Sequence, residues 1–255
     1  MQSQKQFKRR FSFEFFPPKT DQGKEKLQVV RDQLAGVNPD FFSVTFGAGG
    51  SPRERTIETV LNLHQQGIST APHLSCVGGT RAEIAELLDV YKENGINRIV
   101  ALRGDMPSGM GASGEMRYAN ELVAFIREHS GDHFNLEVAA YPEFHPQARN
   151  AEEDLKNFAR KVEAGANSAI TQYFFNPESY FYFIDRLEKL GVTIPVVPGI
   201  MPIVNFSSLV RFSDMCGAEI PRWIRKQLEA YGDDTVSIRK FGEEVITGMC
   251  EKLLK

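Results

Sequence analysis

The sequence predicts an α/β fold, a (β/α)8 barrel of the TIM type that occupies residues 1–255 as one domain. Short apolar, β-prone runs alternate with longer stretches of helical periodicity. The starts of these runs lie roughly 27 to 38 residues apart, which is the size of one strand with its crossover helix. No break in composition interrupts the alternation. A steady alternation of this kind predicts a parallel sheet covered by helices.

Seven runs carry the strand pattern and seven segments carry the helix pattern. The predicted strands are Phe11–Phe15, Phe41–Thr45, Thr70–Cys76, Arg98–Leu102, Leu136–Ala140, Ser168–Thr171 and Pro195–Gly199. The predicted helices are Arg81–Asn94, Ala119–His129, Glu152–Ala164, Pro177–Leu190, Ser207–Cys216, Pro221–Tyr231 and Thr235–Leu254. Gly95, Gly165 and Gly191 directly follow three of these helices, where a left-handed residue commonly ends a helix.

The ends of the strands favour a closed barrel over an open nucleotide-binding sheet. An open sheet of that type places a glycine-rich turn directly after its first strand, but the first strand runs into Glu-Phe-Phe-Pro-Pro. In a barrel, the carboxyl ends of all strands meet on the face that holds the active site. Polar residues stand at five such ends: Glu14, Thr45, His73, Asp105 and Gln172. Because only seven strand–helix units can be counted, we expect the eighth strand and last helix to be missing from this sequence, in an absent C-terminal tail.

Charge and cysteine content exclude several classes of function. A net charge of −3 and a pI near 6.0 give no general attraction to nucleic acid or to an anionic membrane. No apolar run is long enough to span a bilayer. The 3 cysteines are widely spaced, which fits the reducing cytoplasm. No H-x-x-x-H or H-E-x-x-H spacing occurs, so we expect no metal site.

The most unusual segment is FSFEFFPPK at residues 11–19. Strand alternation separates its phenylalanines from Ser12 and Glu14. A carboxylate that points into the barrel among aromatic rings should have a raised pKa and hold a proton near neutral pH. The alternative is a structural ion pair between Glu14 and an arginine of the barrel.

The other candidate groups each have a structural alternative. Arg103, Gly104 and Asp105 follow a strand, and the arginine and aspartate could simply pair with each other. The later G-x-G-x-x-G match at 109–114 is separated from that strand, so we interpret it as a loop and not as a dinucleotide site. His73 could be a core histidine, whereas His145 could bind a phosphate or ribose. A solvated helix face is the alternative for the polar residues of DLKNFARKV.

Taken together, these segments resemble the methylenetetrahydrofolate reductases, close to the bacterial single-domain form. The resemblance rests on FSFEFFPP, SVTFGAGG, APHLSC, ALRGD, AAYPEFHP, DLKNFARKVEAGAN, AITQYFF and PVVPGIMPIVNF, in order from about residue 10 to about 215. It implies a barrel that binds FAD non-covalently, with NADH or NADPH as the reductant. It also implies ping-pong hydride transfer through flavin N5, which reduces 5,10-methylenetetrahydrofolate to 5-methyltetrahydrofolate and feeds methyl groups toward methionine.

The resemblance further assigns roles to individual residues. Glu14 matches the general acid that protonates folate N10, and Asp105 matches a carboxylate beside the flavin and the pterin. Gln172 and Phe212 match substrate contacts. The positions that match FAD contacts are Thr45, Phe46, Ala48, His73, Arg103, Gly104, Asp105, Tyr118, Ala119, Tyr141, His145, Asp154, Asn157, Arg160 and Lys161.

Some features depart from the family or stay open. Phe46 stands where many relatives carry tyrosine, and Ser208 stands where some have a folate-contacting glutamine. The resemblance implies a cytoplasmic homo-oligomer, a dimer or a tetramer, that binds a folate and a nicotinamide nucleotide and neither nucleic acid nor membrane. The alternatives are a non-catalytic or incomplete flavin-binding barrel, or another TIM-barrel oxidoreductase or lyase that uses the same carboxylates.

Overall fold

A computed structural model describes residues 2–46, 53–104 and 114–255 of the protein. Within these ranges, seven strands alternate with helices. The strands are β1 (Ser12–Phe15), β2 (Phe41–Val44), β3 (Thr70–Ser75), β4 (Arg98–Leu102), β5 (Asn135–Ala140), β6 (Ser168–Tyr173) and β7 (Val196–Gly199). The helices are α1 (Gln2–Lys5), α2 (Asp21–Ala35), α3 (Arg53–Gln65), α4 (Arg81–Glu93), α5 (Ala119–Ser130), α6 (Ala151–Glu163), α7 (Pro177–Lys189), α8 (Phe206–Cys216), α9 (Arg222–Tyr231) and α10 (Thr235–Leu253).

The backbone contacts divide the chain into two compact units. The amino-terminal unit consists of Phe7–Ala139 and Arg160–Ser168. The carboxyl-terminal unit consists of Met1–Gln6, Ala140–Ala159 and Ala169–Lys255. We describe each unit by itself below.

The amino-terminal unit contains a parallel sheet in which β1 to β5 pair in chain order. Strands β2 and β4 are nearly continuous apolar runs, as expected where both faces of a parallel sheet are covered. Val44, Ala71, Ile99 and Val138 have no solvent-exposed surface. Two of its helices, α2 and α4, begin at threonine caps. At α4, the Thr80 hydroxyl accepts from the Glu83 backbone while the Glu83 carboxylate accepts from the Thr80 backbone.

The carboxyl-terminal unit pairs β6 with β7 in parallel and packs its last helices around an apolar cluster. The buried cluster is formed by Phe175, Ile203, Leu209, Ile220, Ile224, Leu228 and Ile238. The short helix α1 is tied to this unit by Gln4. Its carboxamide donates to the carbonyl of Ile194 at 3.1 Å and accepts from the N–H of Val196 at 2.9 Å, as a neighbouring strand would.

The predicted elements agree closely with the structure. All seven predicted strands are present, and β4 has the predicted bounds. The largest difference is at β6, which continues to Tyr173 and so places Gln172 inside the strand. The predicted α/β class is confirmed, whereas closure as an eight-stranded barrel and the single domain stay predictions. No helix in the described part of the chain is long and apolar enough to cross a membrane.

Candidate active site

A polar face forms at the carboxyl ends of β1 to β3. In the strand register, Glu14 lies opposite Ser43, and Ser43 lies opposite Ala71. Paired residues of parallel strands project to the same side, and residues two apart on one strand share a face. Thr45 and His73 therefore lie on the same side as Glu14. We call the surface formed by Glu14, Ser43, Thr45, Ala71 and His73 the polar face.

Glu14 and His73 meet across β2. Oε2 of Glu14 is 3.2 Å from Nε2 of His73, and the two side chains are 50% and 9% exposed, respectively. Strands β1 and β3 are two strand spacings apart, close to 10 Å in a typical sheet. The two long side chains can therefore meet because β2 presents only the small side chain of Ser43 between them. The ring nitrogen lacks hydrogen-bond geometry toward the carboxylate, so the contact acts chiefly through charge.

The predicted raised pKa of Glu14 is wrong for this structure. Burial raises the pKa of Glu14, but the charge of His73 and its proximity outweigh burial, so the pKa lies below its ordinary value. The aromatic rings do not surround the carboxylate. Phe13 and Phe15 instead stack on Phe42 with ring centroids 6.0 and 5.2 Å apart. The alternative of an arginine partner does not describe this contact either, because the neighbouring basic side chain is a histidine.

Two buried polar atoms on the polar face have no hydrogen-bond partner among the described residues. They are Oγ1 of Thr45 and Nε2 of His73, both with almost no exposed surface. The backbone carbonyl of Thr45 is held by the hydroxyl of Thr56 at 2.8 Å, which fixes the end of β2. An unsatisfied buried polar group costs about 1–3 kcal/mol. The Thr45 hydroxyl, on the same side of the sheet as Glu14, is suited to the polar edge of a bound heterocycle.

Hydrogen bonds join the end of β4 to the end of β3. The carbonyl of Arg103 accepts from the hydroxyl of Ser75 at 2.7 Å and from the N–H of Val77 at 3.0 Å. Gly104 follows with φ +87°, and a side chain at this position would overlap Oγ of Ser75. The glycine is therefore required both by its backbone conformation and by the close approach of Ser75. The contribution of Ser75 was missed from the sequence, which gave no sign of it.

The other predicted cofactor positions of the amino-terminal unit lie after β2, at the start of α5 and near the end of α6. Tyr118 is exposed and precedes α5, and Ala119 is the first residue of that helix. Phe46 follows β2, and Arg160 and Lys161 lie near the end of α6. Nζ of Lys161 donates to the carbonyl of Ala139 at 2.5 Å, at the end of β5. Ala48 and Asp105 lie outside the described residues.

Four predicted cofactor positions belong to the carboxyl-terminal unit and cluster after β5. The Tyr141 and His145 rings make an edge-to-face contact with centroids 4.6 Å apart. The carboxylate of Asp154 accepts from the backbone N–H of His145 at 2.9 Å, and Nδ1 of His145 accepts from Gln147 N–H at 3.0 Å. Asn157 lies further along α6. This network refutes the solvated-face alternative for Asp154, whose carboxylate fixes the loop.

The predicted substrate contacts Gln172 and Phe212 also belong to the carboxyl-terminal unit. Gln172 lines a small cleft of about 190 Å³ together with Tyr141, Glu143, Tyr173 and Cys216. The Tyr173 hydroxyl and the Ser213 hydroxyl are 3.1 Å apart, which joins β6 to α8. Phe212 is half-buried on α8, and the Arg211 guanidinium lies 5.3 Å from its ring centroid.

Glu143 was not identified from the sequence. It is half-buried in this cleft, and burial raises its pKa although the Glu219 N–H donates to its carboxylate at 2.8 Å. The next residue, Phe144, has φ +60°, an uncommon conformation for a residue with a bulky side chain. Among the described residues there is no group of three or more His, Cys, Asp or Glu side chains that could hold a metal ion.

Comparisons with known proteins give one consistent result. A family model for methylenetetrahydrofolate reductase matches residues 1–255. The 5,10-methylenetetrahydrofolate reductases of Salmonella typhimurium and Escherichia coli are each 42% identical over 243 residues, which is 95% of this chain and 81% of each relative. Methylenetetrahydrofolate reductase (NADH) 1 of Zea mays is 37% identical and covers 96% of this chain, which spans 44% of that longer relative.

Solved structures show the same fold at low identity. An uncharacterized protein from Clostridium thermocellum that binds two copies of 5-methyl-5,6,7,8-tetrahydrofolic acid has a TM-score of 0.71 at 16% identity, covering 99% of this chain and 85% of that chain. Deoxyribose phosphate aldolase from Aeropyrum pernix has a TM-score of 0.52 at 10% identity, covering 79% of this chain and 80% of that chain. The fold is therefore TIM-barrel-like.

Proposed function

Because this chain belongs to the methylenetetrahydrofolate reductase family, we propose that it reduces 5,10-methylenetetrahydrofolate to 5-methyltetrahydrofolate. We propose FAD, bound non-covalently, as the cofactor and NADH or NADPH as the reductant. The observation that carries the proposal is the carboxylate of Glu14 on a polar face that also holds the unpartnered Thr45 hydroxyl and His73 nitrogen. The face supplies an acid and hydrogen-bonding groups at strand ends, where such folds place their chemistry.

The described residues fit a flavin. In the amino-terminal unit, the proposed contacts are Thr45, Phe46, His73, Arg103, Gly104, Tyr118, Ala119, Arg160 and Lys161, with Ala48 and Asp105 outside the described residues. In the carboxyl-terminal unit, they are Tyr141, His145, Asp154 and Asn157. The Thr45 hydroxyl, which has no partner among the described residues, supports the assignment most strongly, because a bound polar group would satisfy it. The basic side chains of Arg160 and Lys161 suit a pyrophosphate. When bound, FAD would carry hydride from the reduced nicotinamide to the folate.

Glu14 is the proposed general acid. Its proton goes to N10 of the folate, and the bond between N10 and the bridging methylene carbon breaks, which leaves a 5-iminium cation that can accept hydride. The side chain is half exposed, so a substrate can reach the carboxylate directly. General acids of this kind contribute about 10²–10⁴-fold to the rate.

The remaining proposed roles concern binding and charge. Asp105 would place a negative charge near the iminium cation, which stabilises it, and near the flavin, which lowers its reduction potential. Gln172 offers both a donor and an acceptor to an amide-like edge of the folate or the nicotinamide. Phe212 offers a ring on which a flat substrate can stack. We further propose that the protein acts in the cytoplasm as a homo-oligomer.

Spectroscopy tests the proposal in two steps. We expect the purified protein to show the visible absorbance band of an oxidised flavin, to lose it on anaerobic addition of NADH or NADPH, and to regain it on addition of 5,10-methylenetetrahydrofolate. A protein without the band contradicts the flavin assignment. A band that bleaches but does not return with the folate indicates a different oxidoreductase, and a band that never bleaches indicates a non-catalytic flavin-binding protein.

A further inference from the structure

The contact between Glu14 and His73 conflicts with the role of Glu14 as a general acid that acts alone. The proposed reaction needs Glu14 to be protonated when the folate is present, yet His73 favours its ionised form. His73 is buried and lies on β3, two strands away from Glu14. Its Nε2 faces the carboxylate and has no hydrogen-bond partner among the described residues. A histidine at this place can hold a proton next to the acid without donating it elsewhere.

We propose that His73 is the positioning residue that holds the Glu14 carboxylate and passes it the proton that reaches the substrate. This inference rests on the proposed function. The pair exists in two forms with the same number of protons, imidazolium beside carboxylate and imidazole beside carboxylic acid. The exchange between them therefore needs no proton from solvent at the moment of reaction.

Covering of Glu14 by a bound ligand drives the exchange. In the structure, half of the Glu14 side chain is exposed, so water stabilises the charged form of the pair. A substrate that covers this half removes the water and disfavours two separated charges more than two neutral groups. Without a substrate, the pair is therefore charged. When a substrate covers Glu14, the pair is neutral and Glu14 is a carboxylic acid.

The proton transfer balances at each bond. The half-exposed Glu14 side chain first turns so that Oε2, 3.2 Å from Nε2, comes into line with the Nε2–H bond. That bond then breaks, its electron pair stays on nitrogen, and the proton bonds to Oε2 of Glu14. The O–H bond of Glu14 then breaks as N10 of the folate takes the proton, which returns Glu14 to a carboxylate beside a neutral imidazole. His73 regains its proton from water after the product leaves.

Other charged groups near the pair are few. Neighbouring β2 contributes only Ser43 and Thr45 to the polar face. Arg98 and Glu137 stand on the same face of the sheet but nearer the strand starts, and they pair with each other. Arg103 follows β4, and Asp105 after it lies outside the described residues. Among the described residues, burial and His73 account for the shift in the Glu14 pKa.

The first test measures the titration of Glu14 without any substrate. The side-chain carbon-13 signal of Glu14, identified by its loss in Glu14→Gln, is followed against pH in the wild type and in His73→Gln. We expect the Glu14 pKa to rise in His73→Gln, because burial remains and the neighbouring charge is removed. A matched control is His129→Gln, which removes a surface pair of the same chemistry (Nε2 of His129 is 2.8 Å from Oδ1 of Asp89) and should leave the Glu14 signal unchanged. An unchanged Glu14 titration in His73→Gln contradicts the proposal.

The second test measures whether His73→Gln speeds or slows folate-dependent flavin reoxidation. If His73 only lowered the Glu14 pKa, His73→Gln would speed folate-dependent flavin reoxidation at neutral pH, because more of Glu14 would be protonated. If His73 supplies the proton, reoxidation slows by about tenfold or more, and added imidazole restores part of the rate in His73→Ala. A faster His73→Gln protein, or no rescue by imidazole, overturns the inference. A failure of the proposed function can be told apart from a failure of this inference. If the proposed function is wrong, the wild type shows no reoxidation, but the Glu14 titration can still be measured.

Discussion

The hydroxyl of Ser75 lies where a side chain on Gly104 would stand, and it donates to the carbonyl of Arg103 at 2.7 Å. This contact joins the ends of β3 and β4, directly before the position of Asp105. The end of β4 is therefore held in place up to Gly104.

Gly104→Ala should destabilise the protein by about 2–4 kcal/mol, because the strain of a positive φ and the overlap with Ser75 both contribute to the loss of unfolding free energy. Gly67→Ala is the matched control. Gly67 has φ +81°, close to the φ of +87° at Gly104, but has no atom within 4 Å of an added side-chain carbon. We expect Gly67→Ala to cost only about 1 kcal/mol, the conformational part. Denaturant unfolding measures both, and equal losses would show that the Ser75 overlap is absent.

Gly242→Ala should destabilise the protein because an added carbon in the middle of α10 would overlap the backbone carbonyl of Ile203. Gly248 lies on the same helix with open space around it. Gly248→Ala should therefore stabilise the protein by about 0.5–1 kcal/mol through helix propensity alone. The two midpoints of thermal unfolding should move in opposite directions. A Gly242→Ala protein that is as stable as Gly248→Ala would contradict the close packing of α10 on the segment after β7.

Sequence patterns predicted the strands well and the electrostatics poorly. The strands were found because apolar runs and their spacing are local properties of the chain. The sign of the Glu14 pKa shift was predicted wrongly because it depends on a contact with His73, 59 positions along the printed sequence. Ser75 and Glu143 were missed for the same reason. Their importance arises from positions brought together by folding, and an isolated serine or glutamate carries no signal of this.

Arg127→Lys should cost about 2–4 kcal/mol of unfolding free energy, because the three N–H donors of a lysine cannot replace a rigid fork of five. The guanidinium donates twice to the carbonyl of Gly165 and once each to the carbonyls of Gly131 and Phe134 and to the Asn167 side chain. It thereby ties the end of α5 to the turns before β5 and β6. Arg222→Lys, at an exposed position, is the control and should change stability by less than about 0.5 kcal/mol. Similar values for both variants would contradict this role.

The Glu14 contact should make stability depend on pH in the acid range. Because the folded-state pKa of Glu14 lies below its ordinary value of 4.5, its contribution is present above that pH and is lost as pH falls through the folded-state value. The stability difference between wild type and Glu14→Gln should therefore shrink on acidification. Chemical unfolding at a series of pH values measures this difference. In a His73→Gln background the trend should reverse, because burial alone then raises the Glu14 pKa. Persistence of the original trend there would assign it to another group.

The most direct test of the account is rapid mixing of the Glu14→Gln protein in the two half-reactions. We expect flavin reoxidation by 5,10-methylenetetrahydrofolate to slow by about 10²-fold or more, the usual effect of removing a general acid, while flavin reduction by the nicotinamide is far less affected. Glu58→Gln, which removes one partner of the exposed Lys24–Glu58 pair, is the control for loss of a surface carboxylate. Equal slowing of both half-reactions in Glu14→Gln, or no slowing of either, would contradict the assignment of Glu14 as the acid.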